Sequence, residues 1–134
     1  MPLWRRSVLA LGGDLKAAVC LAGGGRAVLG EHLGDLEHPA AFRHFVAAIT
    51  RLRDLLRVQP EVVACDAHPA YHSARHARRL DLPVVMVQHH LAHLAAVAAE
   101  HALEPPLLGL ICDGTGYGDD GTIWGGELLA WDGS

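Results

Sequence analysis

Charge is scarce in this chain. Only 19% of its 134 residues are charged and the formal net charge is −4 with histidine neutral, which excludes the basic surface that nucleic-acid binding requires. Aromatics are 5%, too few for a base-stacking platform. Cysteine is limited to Cys20, Cys65 and Cys112, an odd number, each within or at the end of an apolar run. That pattern predicts buried, reduced thiols rather than a disulfide frame or a zinc knuckle. Apolar surroundings raise a thiol's pKa, so none of the three is expected to act as a nucleophile. Long hydrophobic runs are missing too, which excludes a membrane span. Met1–Leu11, with its twin arginine, imitates an export signal, but Gly12-Gly13-Asp14-Leu15-Lys16 cuts the apolar region short of the roughly seven to fifteen residues a signal core needs. A cytoplasmic location is the expectation.

What remains is apolar and glycine-rich. Hydrophobic residues make up 51% and glycine numbers 15, a composition of buried strands joined by tight loops, long enough for one modest core. Ser7–Leu11, Ala17–Ala22 and Arg26–Leu29 read as a three-strand meander. The first turn, Gly12-Gly13-Asp14-Leu15-Lys16, offers backbone N–H groups and a lysine that can meet a phosphate, or serves as an ordinary hairpin turn. Ala41–Leu56 repeats apolar residues at helical spacing (Phe42, Phe45, Val46, Ile49, Leu52, Leu55, Leu56), with Arg43, Arg51, Arg53 and Arg57 on a solvated face. Val62–Cys65 is a buried strand ending in Asp66-Ala67-His68-Pro69, where open α/β sheets place ligand-binding residues. A helix over Ala70–Leu80 carries His72 and His76. With His68 these form a rival metal series, weakened by Pro69 and three nearby arginines, and a solvated face is preferred.

The chemistry concentrates at Gln88-His89-His90-Leu91-Ala92-His93, where the strand Val84–Val87 passes into a helix. His89 and His93 lie four apart, on one helix face at roughly 5–6 Å between Cβ atoms, and two neutral imidazoles so placed can share a divalent metal. His90 and His93 form a second close pair, so spacing does not fix which two bind. Pro105-Pro106 breaks the chain. Leu107–Cys112 is a further buried strand, entering a glycine-rich turn over Asp113–Gly121 before Thr122–Trp131 returns as its partner. If this strand runs parallel to Val84–Val87, Asp113 reaches the edge where His89 starts its helix. Asp113 then completes a two-histidine, one-carboxylate set suited to Fe(II) or Zn(II), or else caps its own turn.

Val8–Asp14 and Leu108–Gly114 echo each other as apolar strands entering glycine-and-acid turns. Facing units of this type hold nucleotide phosphates in actin-like and sugar-kinase-like (Hsp70-type) ATPases. An α/β fold of that class is expected, with residues 1–105 as a first lobe and 106–134 as the opening hairpin of a second lobe that is otherwise missing.

Ala10-Leu11-Gly12-Gly13-Asp14-Leu15-Lys16, His32-Leu33-Gly34-Asp35-Leu36-Glu37, Val63–Tyr71, Gln88–His93, and Asp113–Gly118 through Trp124-Gly125-Gly126-Glu127 follow one another as in the HypF family. The chain resembles the start of the C-terminal carbamoyl-transfer domain of those carbamoyltransferases, which act in nickel–iron hydrogenase maturation. The resemblance implies that His89, His93 and Asp113 hold the metal, iron or zinc, and that Gly12, Gly13 and Lys16 with Gly114, Thr115 and Gly116 contact nucleotide phosphate. His68, near the same edge, is expected to orient substrate. It also implies carbamoyl transfer from carbamoyl-adenylate, formed from ATP and carbamoyl phosphate, to the C-terminal cysteine of the partner HypE. The family's acylphosphatase-like, zinc-binding and adenylate-forming domains have no counterpart in this sequence, so a fragment inactive by itself is expected. An O-carbamoyltransferase of a small-molecule hydroxyl and a non-catalytic metal-binding module are the alternatives.

Overall fold

The computed structural model describes residues 6–133. They form two compact units, one ending at Met86 and one beginning at Val87. Among the described residues no helix is long and apolar enough to cross a membrane.

In the first unit, β1 (Val8–Ala10), β2 (Cys20–Gly23) and β3 (Arg26–Leu29) make the antiparallel meander that the glycine turns predict. β1 also pairs in parallel with β4 (Val62–Asp66). The sheet order is β3-β2-β1-β4-β5, with β5 at Val84–Val87. Parallel pairing sends β1 and β4 out of the same edge, so Gly12-Gly13-Asp14 and Asp66-Ala67-His68 emerge side by side.

Helix α1 (Pro39–Leu56) opens with proline where no N–H partner is needed, and buries Phe45, Ala48, Ile49 and Leu52 at helical spacing. Phe45, Ile49 and Leu52 join Leu9, Leu11, Leu21 and Val63 in the core. Full burial of each large side chain contributes about 1.5–3 kcal/mol. The buried stripe is narrower than the periodicity predicts, since Leu55 is 75% exposed.

Helix α2 (His72–Ala77) is shorter than the expected Ala70–Leu80. Tyr71 is still extended, with ψ 140°. The first turn takes its acceptor from a distant residue: Asp14 receives the His72 amide at 2.8 Å and the Ser73 amide at 3.0 Å. The solvated face expected for His72 and His76 is also corrected. The His72 Nδ1 atom lies 2.8 Å from Asp14 Oδ2, and the His76 ring stands edge-on to Phe42 and Phe45 at 5.8 and 5.7 Å.

The second unit holds α3 (His89–Glu100) and an antiparallel hairpin of β6 (Leu107–Tyr117) and β7 (Ile123–Trp131). The turn expected over Asp113–Gly121 is mostly strand. Pairing resumes after Cys112↔Gly126 at Gly116↔Trp124, so Asp113, Gly114 and Thr115 stand opposite Gly125 alone. Such a bulge re-aims the side chains it carries. Leu94 and Ala98 of α3 are buried, and a Cβ on Gly109 would come within 2.7 Å of Leu94 Cδ1. Strand alternation then turns Gly109, Ile111 and Asp113 toward α3 and Leu108, Leu110 and Cys112 outward. Leu108 and Leu110 are 71% and 73% exposed. Cys112 is exposed with them, against the expectation of three buried thiols, whereas Cys65 is buried and Cys20 half-buried.

Candidate metal centre and neighbouring loops

Gln88 caps α3, its side-chain oxygen accepting the Leu91 amide at 2.8 Å. That fixes the start of the helix, where the His89 and His93 rings, one turn apart, meet edge-on with centroids 4.9 Å apart. Both rings reach one oxygen of Asp113: His89 Nε2 is 2.9 Å and His93 Nε2 3.4 Å from Oδ2. The other oxygen, Oδ1, accepts the Gly114 amide at 2.7 Å and so orients the carboxylate. The three ligand atoms all lie within 4.8 Å of one another.

The two histidine–carboxylate spacings fit a shared ion. Ligands about 2.0–2.1 Å from one metal, at right-angle to tetrahedral spread, lie about 3.0–3.4 Å apart. Two imidazoles and a carboxylate are a donor set that would leave further positions of a bound ion open. The side chain of His93 is 56% exposed, so the centre opens outward. The small burial of Asp113 would raise its carboxyl, but the Gly114 amide and His89 outweigh it and hold the group below the ordinary carboxylate range, in the ionised form a ligand needs. A cleft of about 440 Å³ runs from His93 and Asp113 along Leu94, Val97, Leu107 and Ile111.

His90, the other half of the ambiguous pair, points away from this centre. It is fully buried, and its Nε2 lies 2.8 Å from the Gly125 carbonyl. Gly116 makes room for it, since a Cβ there would fall 2.5 Å from His90 Cε1 and 2.8 Å from His89 Cδ2. Gly114 has open space around it and Thr115 is exposed, both in the bulge beside Asp113.

In the first unit, the structure gathers Gly12, Gly13 and His68 at one sheet edge. Gly12 has φ +60°, a conformation that favours glycine. Gly13 lies against the Tyr71 ring, 3.3 Å from where its Cβ would be. Tyr71 stacks on His68 at 4.2 Å, and Asp66 Oδ1 accepts the His68 amide at 2.8 Å. Lys16 is exposed and, with φ 52°, also left-handed. Asp14 is the functional neighbour that sequence reasoning missed. Only its place in a glycine turn hinted at a structural carboxylate, and its partners lie 58 and 59 residues away.

Residues 4–100 match the family described as the HypF Kae1-like domain, and residues 109–134 match the one described as the carbamoyltransferase Kae1-like domain, second subdomain. The chain is 49% identical over 126 residues to Carbamoyltransferase HypF of Rhizobium leguminosarum bv. viciae, covering 94% of this chain and 17% of that relative. It is 45% identical over 126 residues to Carbamoyltransferase HypF of Synechocystis, covering 93% of this chain and 16% of the relative. Among solved structures, full-length HypF in the phosphate- and nucleotide-bound form superposes with a TM-score of 0.93 at 46% identity, over 96% of this chain and 17% of that one. YeaZ from Pseudomonas aeruginosa, at 21% identity and a TM-score of 0.56 over 95% of this chain and 68% of that one, shares the fold alone. The actin-like α/β architecture read from the strand–turn echo therefore holds. The chain spans about one sixth of the HypF relatives it matches and, with the family match extending over residues 4–100, it belongs to the HypF carbamoyltransferase family.

Proposed function

We propose that His89, His93 and Asp113 hold a divalent iron or zinc ion, and that the chain is the part of a cytoplasmic carbamoyltransferase in which a carbamoyl group passes from carbamoyl-adenylate to the C-terminal cysteine of HypE. The observation that carries this reading is the convergence of three ligand atoms from α3 and the β6 bulge on one point. The ion would supply Lewis acidity toward phosphate or carbamoyl oxygen. The chain's own residues do the rest. Asp113, held by the Gly114 amide, presents an oxygen to both histidines. Gly12, Gly13 and Lys16 in the first unit, and Gly114, Thr115 and Gly116 in the second, offer backbone N–H groups and one cation to nucleotide phosphate. His68, stacked on Tyr71, orients substrate. In the transfer itself the thiolate sulfur bonds to the carbamoyl carbon, the carbon–oxygen bond to phosphate breaks, and AMP leaves.

The lobe assignment follows the same proposal, with residues 1–105 as the first lobe and 106–134 as the start of the second. Making carbamoyl-adenylate from ATP and carbamoyl phosphate needs the acylphosphatase-like, zinc-binding and adenylate-forming domains, which belong to the relatives' remaining length. The test is metal content of the 134-residue chain beside His89→Ala, His93→Ala and Asp113→Ala under reducing conditions, with far-UV circular dichroism as a folding control. Near-stoichiometric iron or zinc, lost in all three variants, is the expected outcome. Metal retained in the variants, or absent from a folded wild type, would sink the assignment.

A further inference from the structure

His90 sits between the two proposed metal-binding histidines in sequence but takes no part in their cluster. It is fully buried and bonded at both ring nitrogens. The bonding partners dictate which nitrogen carries the proton. The Leu91 amide can only donate, so the Gln88 atom 2.8 Å from it is the carbonyl oxygen. The other Gln88 atom, 3.2 Å from the Tyr117 carbonyl oxygen, is then the amide nitrogen, a donor only. That same nitrogen lies 3.1 Å from His90 Nδ1, which must accept. His90 Nε2 therefore carries the hydrogen and donates it to the Gly125 carbonyl at 2.8 Å.

One chain of bonds thus joins three elements. It starts at the α3 cap, crosses to β6 at Tyr117, and ends on β7 at Gly125, the residue facing the bulge that carries Asp113. Trp124 lies alongside the His90 ring at 6.0 Å between centroids. Gly116 gives the ring its space, because any side chain there would enter it.

We infer that His90, in the Nε2–H tautomer set by Gln88, is a positioning residue: it pins the first turn of α3 to the bulged hairpin and so fixes the approach of His89 and His93 to Asp113. The inference rests on the metal reading above only for its first readout. Outer partners of this kind change metal affinity without touching the ion, typically by about 10- to 100-fold.

The test uses the 134-residue chain with Co(II) as the probe ion, and compares wild type with His90→Phe and His90→Gln. Phenylalanine keeps the ring volume and removes both bonds, whereas glutamine keeps an N–H donor near the Nε2 position. With circular dichroism showing all three folded, His90→Phe is expected to lose Co(II) affinity about 10- to 100-fold and to alter the cobalt absorption spectrum. His90→Gln is expected to recover most of that loss. Equal affinity and spectrum in His90→Phe and wild type would overturn the inference. A second readout needs no metal. Imidazole nitrogen NMR should show His90 Nδ1 unprotonated and Nε2 protonated, and the contact of the His89 ring with Gly116, where a Cβ would come within 2.8 Å of His89 Cδ2, should vanish in His90→Phe. The opposite tautomer, or a ring contact kept in that variant, would overturn it. A wild type that binds no cobalt defeats the metal reading, and the NMR result then decides the role of His90.

Discussion

Replacing Asp14 should be the most damaging single change in the first unit outside its apolar core. The residue is 6% exposed. Its carboxylate accepts the His72 amide, the His72 ring N–H and the Ser73 amide at 2.8, 2.8 and 3.0 Å. In Asp14→Ala the two amides opening α2 lose their acceptor beneath the surrounding chain. Capping losses cost about 0.5–2 kcal/mol, and leaving a buried donor unpaired costs about 1–3 kcal/mol. These terms overlap, so about 3 kcal/mol is the expected total, or about 12–24 °C in Tm for a unit of this size. Asp14→Asn keeps one acceptor oxygen and should lose less. The sign of the pH dependence follows from the same contacts. Burial alone would raise the Asp14 carboxyl, but the His72 and Ser73 amides and the His72 ring outweigh it, so the group is held below its ordinary 3.8. A carboxyl with a depressed folded value contributes stability that is present above its unfolded pKa and lost as pH falls through the folded one. Thermal melts of wild type, Asp14→Ala and Asp14→Asn from neutral pH to pH about 3 test this. Wild type should lose stability steeply below about pH 4, and both variants less so. A destabilisation under about 0.5 kcal/mol for Asp14→Ala, or parallel acid limbs in all three, would refute the capping account.

Three further outcomes follow from the packing. Burial lowers the His76 imidazole, helped by Arg79, so the unfolded chain takes its proton first. His76→Gln should therefore flatten the loss of stability as pH falls below about 6.5, read as the difference from wild type in urea melts. Burial raises the Cys65 and Cys20 thiols, while Cys112 is exposed; iodoacetamide followed by mass spectrometry should label Cys112 first, and equal labelling of all three would contradict the outward turn of that residue. Gly109→Val should cost about 1–3 kcal/mol by overpacking, because even a Cβ meets Leu94 at 2.7 Å; an unchanged melt would deny the close approach of α3 to β6.

The sequence was most legible where local pattern and tertiary demand agree. Apolar runs between glycine turns located β1 to β5, and helical spacing located α1, since Leu9, Leu21, Val63, Phe45 and Ile49 from these elements share one core. The His89–His93 pair was legible for the same reason, being a spacing within a single helix. Asp113 was reached by supposing that its strand runs parallel to Val84–Val87, whereas β6 pairs with β7 in a sheet separate from the one that holds β5, and the bulge that aims it was not foreseen. A run with glycine at 114, 116, 118 and 121 reads locally as a turn, and only pairing with β7 keeps its first half extended. α2 was misjudged because its start depends on Asp14, far away in sequence. His72 and His76 looked solvated because their partners, Asp14, Phe42 and Phe45, lie on other elements. Cys112 looked buried because an unbroken apolar run hides which of its alternate members face outward.

That outward face bears on how the chain behaves at concentration. Leu108, Leu110 and Leu128, at 71%, 73% and 64% exposure, form a sticky strip that favours self-association. Asp113 turns to the opposite side of the same strand, toward α3. Copies that adhere through the leucines would therefore leave the donor set free, and if the proposed ion binds, its stoichiometry per protomer should be the same in dilute and concentrated samples.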